Sequence, residues 1–174
     1  VIEGKNYDIL ADTMVKEQQK VHQMYSWTIK FECWHSMIID DSKAVFIKKK
    51  FKGKKIWIYY NFKEEYKLLK KVFGEELTDD LDEFNKTNKN IALQIVSGRE
   101  WISLKQADYL VFFNIAFSAL SYWQARDRLT TMDRKNNTIY WIFSEGGMEK
   151  DIYKSVIKKK DYTINHFKKD YAIY

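Results

Sequence analysis

The sequence predicts an α/β fold in which a parallel sheet is flanked by helices. Three short apolar runs, over residues 91–96, 109–114 and 138–143, lack strict alternation, which is typical of strands buried on both faces. Helical patterns alternate with these runs, and that order predicts βαβ units around one sheet. A length of 174 residues suits a single domain spanning residues 1–174.

The N-terminal part of the chain predicts a helix and a small β-hairpin. Residues 8–24 place apolar side chains at helical spacing, which predicts a helix. Residues 28–39 alternate between apolar and polar side chains and predict a strand, with residues 37–39 as its hairpin partner. Residues 48–55 hold six lysines and are expected to form a solvated connection.

The next residues predict a strand and the helices of the sheet layer. Residues 56–60 have the pattern of an apolar strand, and residues 63–73 have that of a helix. Asp79 and Asp80 offer an N-cap for a helix through Phe84, because a carboxylate oxygen can accept the free N–H groups of a first turn. Two further helices are predicted over residues 118–129 and 149–160.

Composition argues against a membrane protein and permits nucleic-acid binding. Charged residues make up 31% of the chain, and no apolar run approaches the roughly 18–20 residues of a spanning helix. A net charge of +6 suits a polyanionic partner. Cys33 is the single cysteine and cannot form an internal disulfide, and no secretory leader is visible, so a cytoplasmic location is expected.

Two motifs follow one another between Leu81 and Arg128. The first is a polar turn after an apolar run, marked by Ser97, Leu104 and Ala107. The second lies on a helical segment and consists of Gln124, Ala125, Asp127 and Arg128. Their order and spacing resemble motifs V and VI of a superfamily-two helicase, closest to the Swi/Snf-type DNA translocases and their phage relatives.

Four further segments resemble the same lobe of these enzymes. They are residues 16–26 as its leading helix, 55–73 as motif IV, 81–85 as the short helix before motif V, and 149–160 as its closing helix. The resemblance implies the fold of a RecA-like helicase C-terminal lobe. It also implies weak, nonspecific contacts with DNA.

The resemblance implies two groups of site residues. Ser97, Gly98 and Arg99 would contact the nucleic-acid backbone, and the residues of the ATP cleft would be Glu100, Gln124 and Arg128. Arg128 would act as a latent arginine finger that stabilises charge on the transferring phosphate. The alternative is that Arg128 pairs with Asp127 or Glu100 at the surface.

A complete ATPase site is not expected from this sequence. No Gly-x-x-x-x-Gly-Lys-Ser/Thr motif occurs, so a phosphate-cradling loop is missing. The resemblance is to the C-terminal lobe only, and ATP and magnesium would bind only with the missing N-terminal lobe. The chain by itself is therefore predicted to need no cofactor, and its status as an enzyme stays open.

Several positions depart from the family pattern towards large or apolar side chains. Trp101 stands where motif V expects glycine, Ala116 where aspartate is common, and Trp27 where the leading helix ends in glycine. Trp34 occupies a hairpin tip, and Trp57 is bulky for a central strand. Aromatic side chains around a cleft suit an apolar small molecule, so we interpret the chain as an engineered variant with a designed pocket. The alternative is a divergent natural phage helicase fragment with no activity alone.

Cys33 and His35 suggest a second chemistry for an engineered protein. Residues i and i+2 of a strand share a face, and a Cys–His pair can generate a thiolate that cleaves esters. The alternative is that Cys33 belongs to the core and His35 to a solvated turn. The three histidines and one cysteine are widely spaced and predict no metal site. The basic tracts 48–55 and 158–160 could follow a DNA backbone or simply be solvated.

Overall fold

The structure is a computed structural model that describes residues 13–26, 28–30, 36–95, 106–127 and 138–170. The helices are α1 (Met14–Tyr25), α2 (Ser42–Lys50), α3 (Lys63–Phe73), α4 (Leu81–Lys86), α5 (Ala119–Asp127), α6 (Glu149–Val156) and α7 (Ile164–Asp170). The strands are β1 (Thr28–Lys30), β2 (Ser36–Ile38), β3 (Ile56–Tyr60), β4 (Leu77–Thr78), β5 (Asn90–Gln94), β6 (Tyr109–Phe112) and β7 (Ile139–Trp141).

Five parallel strands form the central sheet in the order β4-β5-β3-β6-β7. Strand β3 is central, and its Trp57 lies opposite Ile91 of β5 on one side and Leu110 of β6 on the other. Strands β1 and β2 form a separate antiparallel hairpin in which Thr28 pairs with Ile38. The predicted parallel sheet and the predicted N-terminal hairpin are both confirmed.

Alternating residues of β3 are buried against different helices, because successive side chains of a strand point to opposite faces. Ile56 and Ile58 share an apolar cluster with residues of α2 and α3, namely Ala44, Ile47, Leu68, Leu69 and Phe73. Trp57 and Tyr59 share a second cluster with Phe84 of α4. The sheet is thus covered by helices on both faces, as the sequence predicts.

A third apolar cluster packs the C-terminal helices together. It consists of Ile115, Ala119, Tyr122, Met148, Ile152, Val156, Tyr162 and Phe167. Tyr122 connects this cluster to the sheet, since its ring lies 6.1 Å from that of Phe112. Helix α1 packs against the same cluster through Val21 and Tyr25.

The prediction of a solvated connection over residues 48–55 is wrong for residues 48–50, which belong to α2. Helix α2 continues through Lys50 because Ala44 and Ile47, three residues apart, are both fully buried against the core. Its three final lysines lie at the negative end of the helix dipole, where positive charge is favourable. Strand β4 and helix α7 are also absent from the sequence prediction.

The predicted cap of α4 is confirmed at one of its two candidates. The Asp80 side chain accepts a hydrogen bond from the backbone N–H of Glu83 at 2.7 Å. In the described part of the chain, no helix is long and apolar enough to cross a membrane.

Candidate site at the carboxyl edge of the sheet

The carboxyl ends of the parallel strands meet at one edge of the sheet. Backbone hydrogen bonds bring together the residues that follow the strands. Ile95 N donates to Tyr60 O at 2.9 Å, and Phe113 N donates to Tyr59 O at 2.8 Å. In open α/β sheets, ligands bind beyond this edge. The side chains gathered here are therefore the candidate site of the fold.

A buried chain of hydrogen bonds runs through this edge from α1 to α3. His22 Nε2 lies 2.6 Å from Asn114 Oδ1, and the Asn114 amide nitrogen donates to Glu65 Oε1. The other oxygen of Glu65 accepts the backbone N–H groups of Asn61 and Phe62 at 2.7 and 2.9 Å. Because the Asn114 oxygen can only accept, the proton of neutral His22 resides on Nε2.

A second buried pair lies beside this chain. Lys43 of α2 donates to Glu149 Oε1 of α6 at 3.1 Å, and their side chains are 4% and 0% exposed. The Lys43 ammonium also lies 4.7 Å from the centre of the Phe113 ring. This pair connects two helices that are far apart in sequence through the end of β6.

Burial dominates the protonation of these groups. It lowers the pKa of His22 to about 4, an effect that the Asn114 hydrogen bond opposes and the Lys43 charge reinforces. It also raises the pKa of Glu65, against the stabilising hydrogen bonds of Phe62, Asn61 and Asn114. The pKa of Glu149 is likewise raised by burial and lowered in part by Lys43.

Three buried polar atoms at or near this edge have no hydrogen-bond partner among the described residues. They are His22 Nδ1, Gln18 Nε2 and Glu149 Oε2. Glu149 Oε2 lies so close to Gly147 that a Cβ atom there would clash with it, which explains the glycine. The arrangement suits the positioning of α1, α2, α3 and α6 around the strand ends. Among the described residues, no group of His, Cys, Asp and Glu side chains could hold a metal ion.

Most of the predicted site residues lie outside the described residues. This holds for the predicted nucleic-acid contacts Ser97, Gly98 and Arg99, for Glu100 and Arg128 of the ATP cleft, and for the alternative dyad Cys33 and His35. It also holds for the pocket candidates Trp27, Trp34 and Trp101. Their roles stay predictions.

Three predicted site residues are described. Gln124 is exposed on α5. Ala116 is 8% exposed and packs into the cluster that contains Trp57. Trp57 itself is completely buried, with its ring 6.1 Å from that of Phe84, so its faces are occupied by core side chains.

The buried network was not predicted as a unit. Glu65 is three residues after Phe62, at the position where a glutamate accepts the first N–H groups of a helix, so its local role was visible. Asn114 stands at the end of a predicted strand. The partnership with His22 was not visible, because 92 residues separate His22 from Asn114.

Comparison with known proteins agrees with this architecture. Neither a protein-family model nor a curated protein matches the chain. Among solved structures, it is similar to the crystal structure of the C-terminal part of the Fun30 ATPase domain, with a TM-score of 0.51 and 18% identity. The match covers 71% of this chain and 44% of that one, so the chain spans less than half of that structure's length. The chain therefore has a RecA-like α/β fold, a five-stranded parallel sheet flanked by helices, similar to that of this part of the ATPase domain.

Proposed function

We propose that the chain is the C-terminal lobe of a Swi/Snf-type DNA-dependent ATPase and that it contributes to catalysis only when paired with an N-terminal lobe. The observation that carries the proposal is the five-stranded parallel sheet, with its preceding hairpin, in a fold similar to the C-terminal part of an ATPase domain. The ordered motifs V and VI support it from the sequence.

The catalytic contribution of this lobe would come from Gln124 on α5 and from Arg128, four residues later in the sequence. Gln124 is exposed on α5 and is free to face another lobe. The described part of α5 reaches Asp127, which directly precedes Arg128 in the sequence. An arginine at the cleft would stabilise the charge that develops on the transferring phosphate. Lacking a phosphate loop, the chain alone supplies only this half of the chemistry.

The DNA contact would come from the segment after β5. The described chain reaches the carboxyl edge at Ile95, two residues before Ser97. A serine hydroxyl, backbone N–H groups and an arginine can hold phosphates without reading the base sequence. A lobe with few such contacts should bind DNA in the nonspecific range of about 10⁻⁴–10⁻⁶ M at physiological salt.

Phosphate release tests the proposal. The chain alone should release no phosphate from ATP above background, with or without duplex DNA. When it is joined to a Swi/Snf-type N-terminal lobe, hydrolysis should rise with DNA, and Arg128→Ala should lower it about 10³-fold or more. Arg126→Ala, at the variable position of the motif two residues earlier, is the matched control and should retain activity.

Two outcomes would contradict the proposed function. One is DNA-stimulated hydrolysis by the chain alone. The other is an equal loss in the Arg126 and Arg128 variants of the joined enzyme, which would show that Arg128 has no specific part in the cleft.

A further inference from the structure

A large open groove lies at the opposite, amino-terminal edge of the sheet. Its volume is about 1060 Å³. Its walls are the end of α2, the turn over residues 51–55, the end of α3 and the residues that precede β5 and β6. Because the strands are parallel, this edge is separated from the carboxyl edge by the full length of the strands.

Lysines dominate the charge of this groove. Six of them line it, namely Lys48, Lys49, Lys52, Lys54, Lys55 and Lys89, against the three acidic residues Glu75, Glu76 and Asp108. Glu76 pairs with Lys48 at 3.1 Å, and Asp108 accepts the backbone N–H of Lys55 at 2.8 Å, so six lysines face only three carboxylates. The excess charge is therefore positive.

Half of these lysines are committed within the protein. Lys48 pairs with Glu76, Lys55 donates to the carbonyls of Phe84 and Thr87, and Lys89 pairs with Glu83 at 2.6 Å. By contrast, Lys49, Lys52 and Lys54 are exposed, and their side chains have no ion pair or hydrogen bond within the part of the chain that the structure describes. These three, here called the lysine rim, are available to an external anion.

The floor of the groove indicates which anion fits. Phe51 and Phe73 are 5% and 3% exposed, so their rings are committed to the core and cannot stack on bases. Proteins that bind single strands combine a basic groove with exposed aromatic platforms. A basic rim without such platforms suits a continuous phosphate backbone whose bases are already stacked, as in a duplex.

We propose that the lysine rim binds the phosphate backbone of duplex DNA at the amino-terminal edge of the sheet. The three lysines form a second contact, on the far edge of the sheet. This contact needs neither ATP nor a second lobe. This contact can therefore be tested independently of the proposed ATPase role.

Fluorescence anisotropy with a short labelled duplex tests this contact. The rim variant carries Lys49→Gln, Lys52→Gln and Lys54→Gln. The control carries Lys67→Gln, Lys168→Gln and Lys169→Gln, which are exposed, do not line the groove and lie outside both basic tracts. Each set removes three charges from a net +6, so both proteins have a formal charge of +3. Circular dichroism checks that both remain folded.

The rim variant should bind about tenfold more weakly at low salt, and its slope of log affinity against log salt should fall by roughly 2–3. The control should stay within about twofold of the parent, because it removes equal charge elsewhere. Equal loss in both variants would overturn the proposal in favour of diffuse attraction by net charge.

Two competitors and one further variant complete the test. An unlabelled single strand of the same length should compete less well than the duplex, and polyglutamate of equal charge should compete poorly. Competition by either at the level of the duplex would overturn the assignment to a duplex backbone. Arg99→Ala tests the carboxyl edge separately, so a null result there leaves the rim measurement unaffected.

Discussion

His22 lies where burial, hydrogen bonding and charge act on one imidazole. It is completely buried, donates to Asn114, and has the Lys43 charge nearby. Glu65 faces the same network through Asn114. Since the folded pKa of about 4 lies below the ordinary value of 6.5, the folded protein keeps this side chain neutral over a range in which the unfolded chain is protonated.

The His22 imidazole should make stability depend on pH. The unfolded chain binds a proton below about pH 6.5, whereas the folded chain resists it until about pH 4, so stability is lost as pH falls through this window. The loss should reach up to about 3 kcal/mol. Urea unfolding between these pH values measures it.

The His22→Gln variant isolates this contribution. Glu65 and Glu149 have raised folded pKa values, so their contribution changes in the opposite direction and is lost as pH rises past their ordinary value. Both carboxyls are present in parent and variant, and the difference between the two pH curves reports His22. Parallel curves would show that the imidazole is not held neutral.

At the scale of elements, the Lys43–Glu149 pair joins α2 to α6 across the end of β6. The N-cap residues Asp41 and Met148 make no side-chain cap bond, and the relative placement of the two helices depends on core packing and this pair. An isolated buried charge costs far more than a paired one. Removing one partner should therefore be more damaging than removing both.

The Lys43→Met variant should lose roughly 3–5 kcal/mol of unfolding free energy at neutral pH, because Glu149 is then buried without its partner. The double variant Lys43→Met with Glu149→Gln should recover part of this loss. Lys48→Met is the matched control: its pair with Glu76 has the same 3.1 Å length but is 36% and 64% exposed, so about 0–1 kcal/mol is expected. Equal losses at Lys43 and Lys48 would refute the role of burial.

At the scale of the whole molecule, the second and third apolar clusters share an aromatic residue, and the first is joined to them through the consecutive residues Phe112 and Phe113 of the sheet. Trp141 packs against both the second and the third cluster, and its ring stacks on Phe112 at 5.7 Å. Phe113 belongs to the first cluster, on the other face of the sheet. Loss of packing in one cluster therefore exposes apolar side chains of the neighbouring cluster to water.

This connection predicts cooperative unfolding of the chain as one unit. Tryptophan fluorescence and far-ultraviolet circular dichroism should give coincident urea transitions, as in two-state domains. Trp57→Phe, at the fully buried centre of β3, should shift the midpoint of both signals together. Separate midpoints for the two signals would indicate independent subdomains and contradict the single domain predicted over residues 1–174.

Local patterns were enough to predict the sheet strands β3, β5, β6 and β7 and the cap at Asp80, because period, apolar runs and capping residues act over a few neighbours. The short elements were not predicted, because their formation depends on contacts with other parts of the chain rather than on local patterns. Leu77–Thr78 is a strand only because Asn90 and Ile91 lie beside it, and the lysine-rich end of α2 is helical because Ala44 and Ile47 are anchored in the core.

What the sequence by itself determined is the layout: a parallel sheet, helices on both faces, a leading hairpin and the ordered motifs that resemble a helicase lobe. Only the tertiary structure decided which distant polar groups meet. His22 and Asn114, or Lys43 and Glu149 at a separation of 106 residues, come together because the strand crossovers bring their elements to one edge. The sequence does not encode such meetings locally, since a buried polar side chain is stabilised by whichever partner the folded chain places beside it.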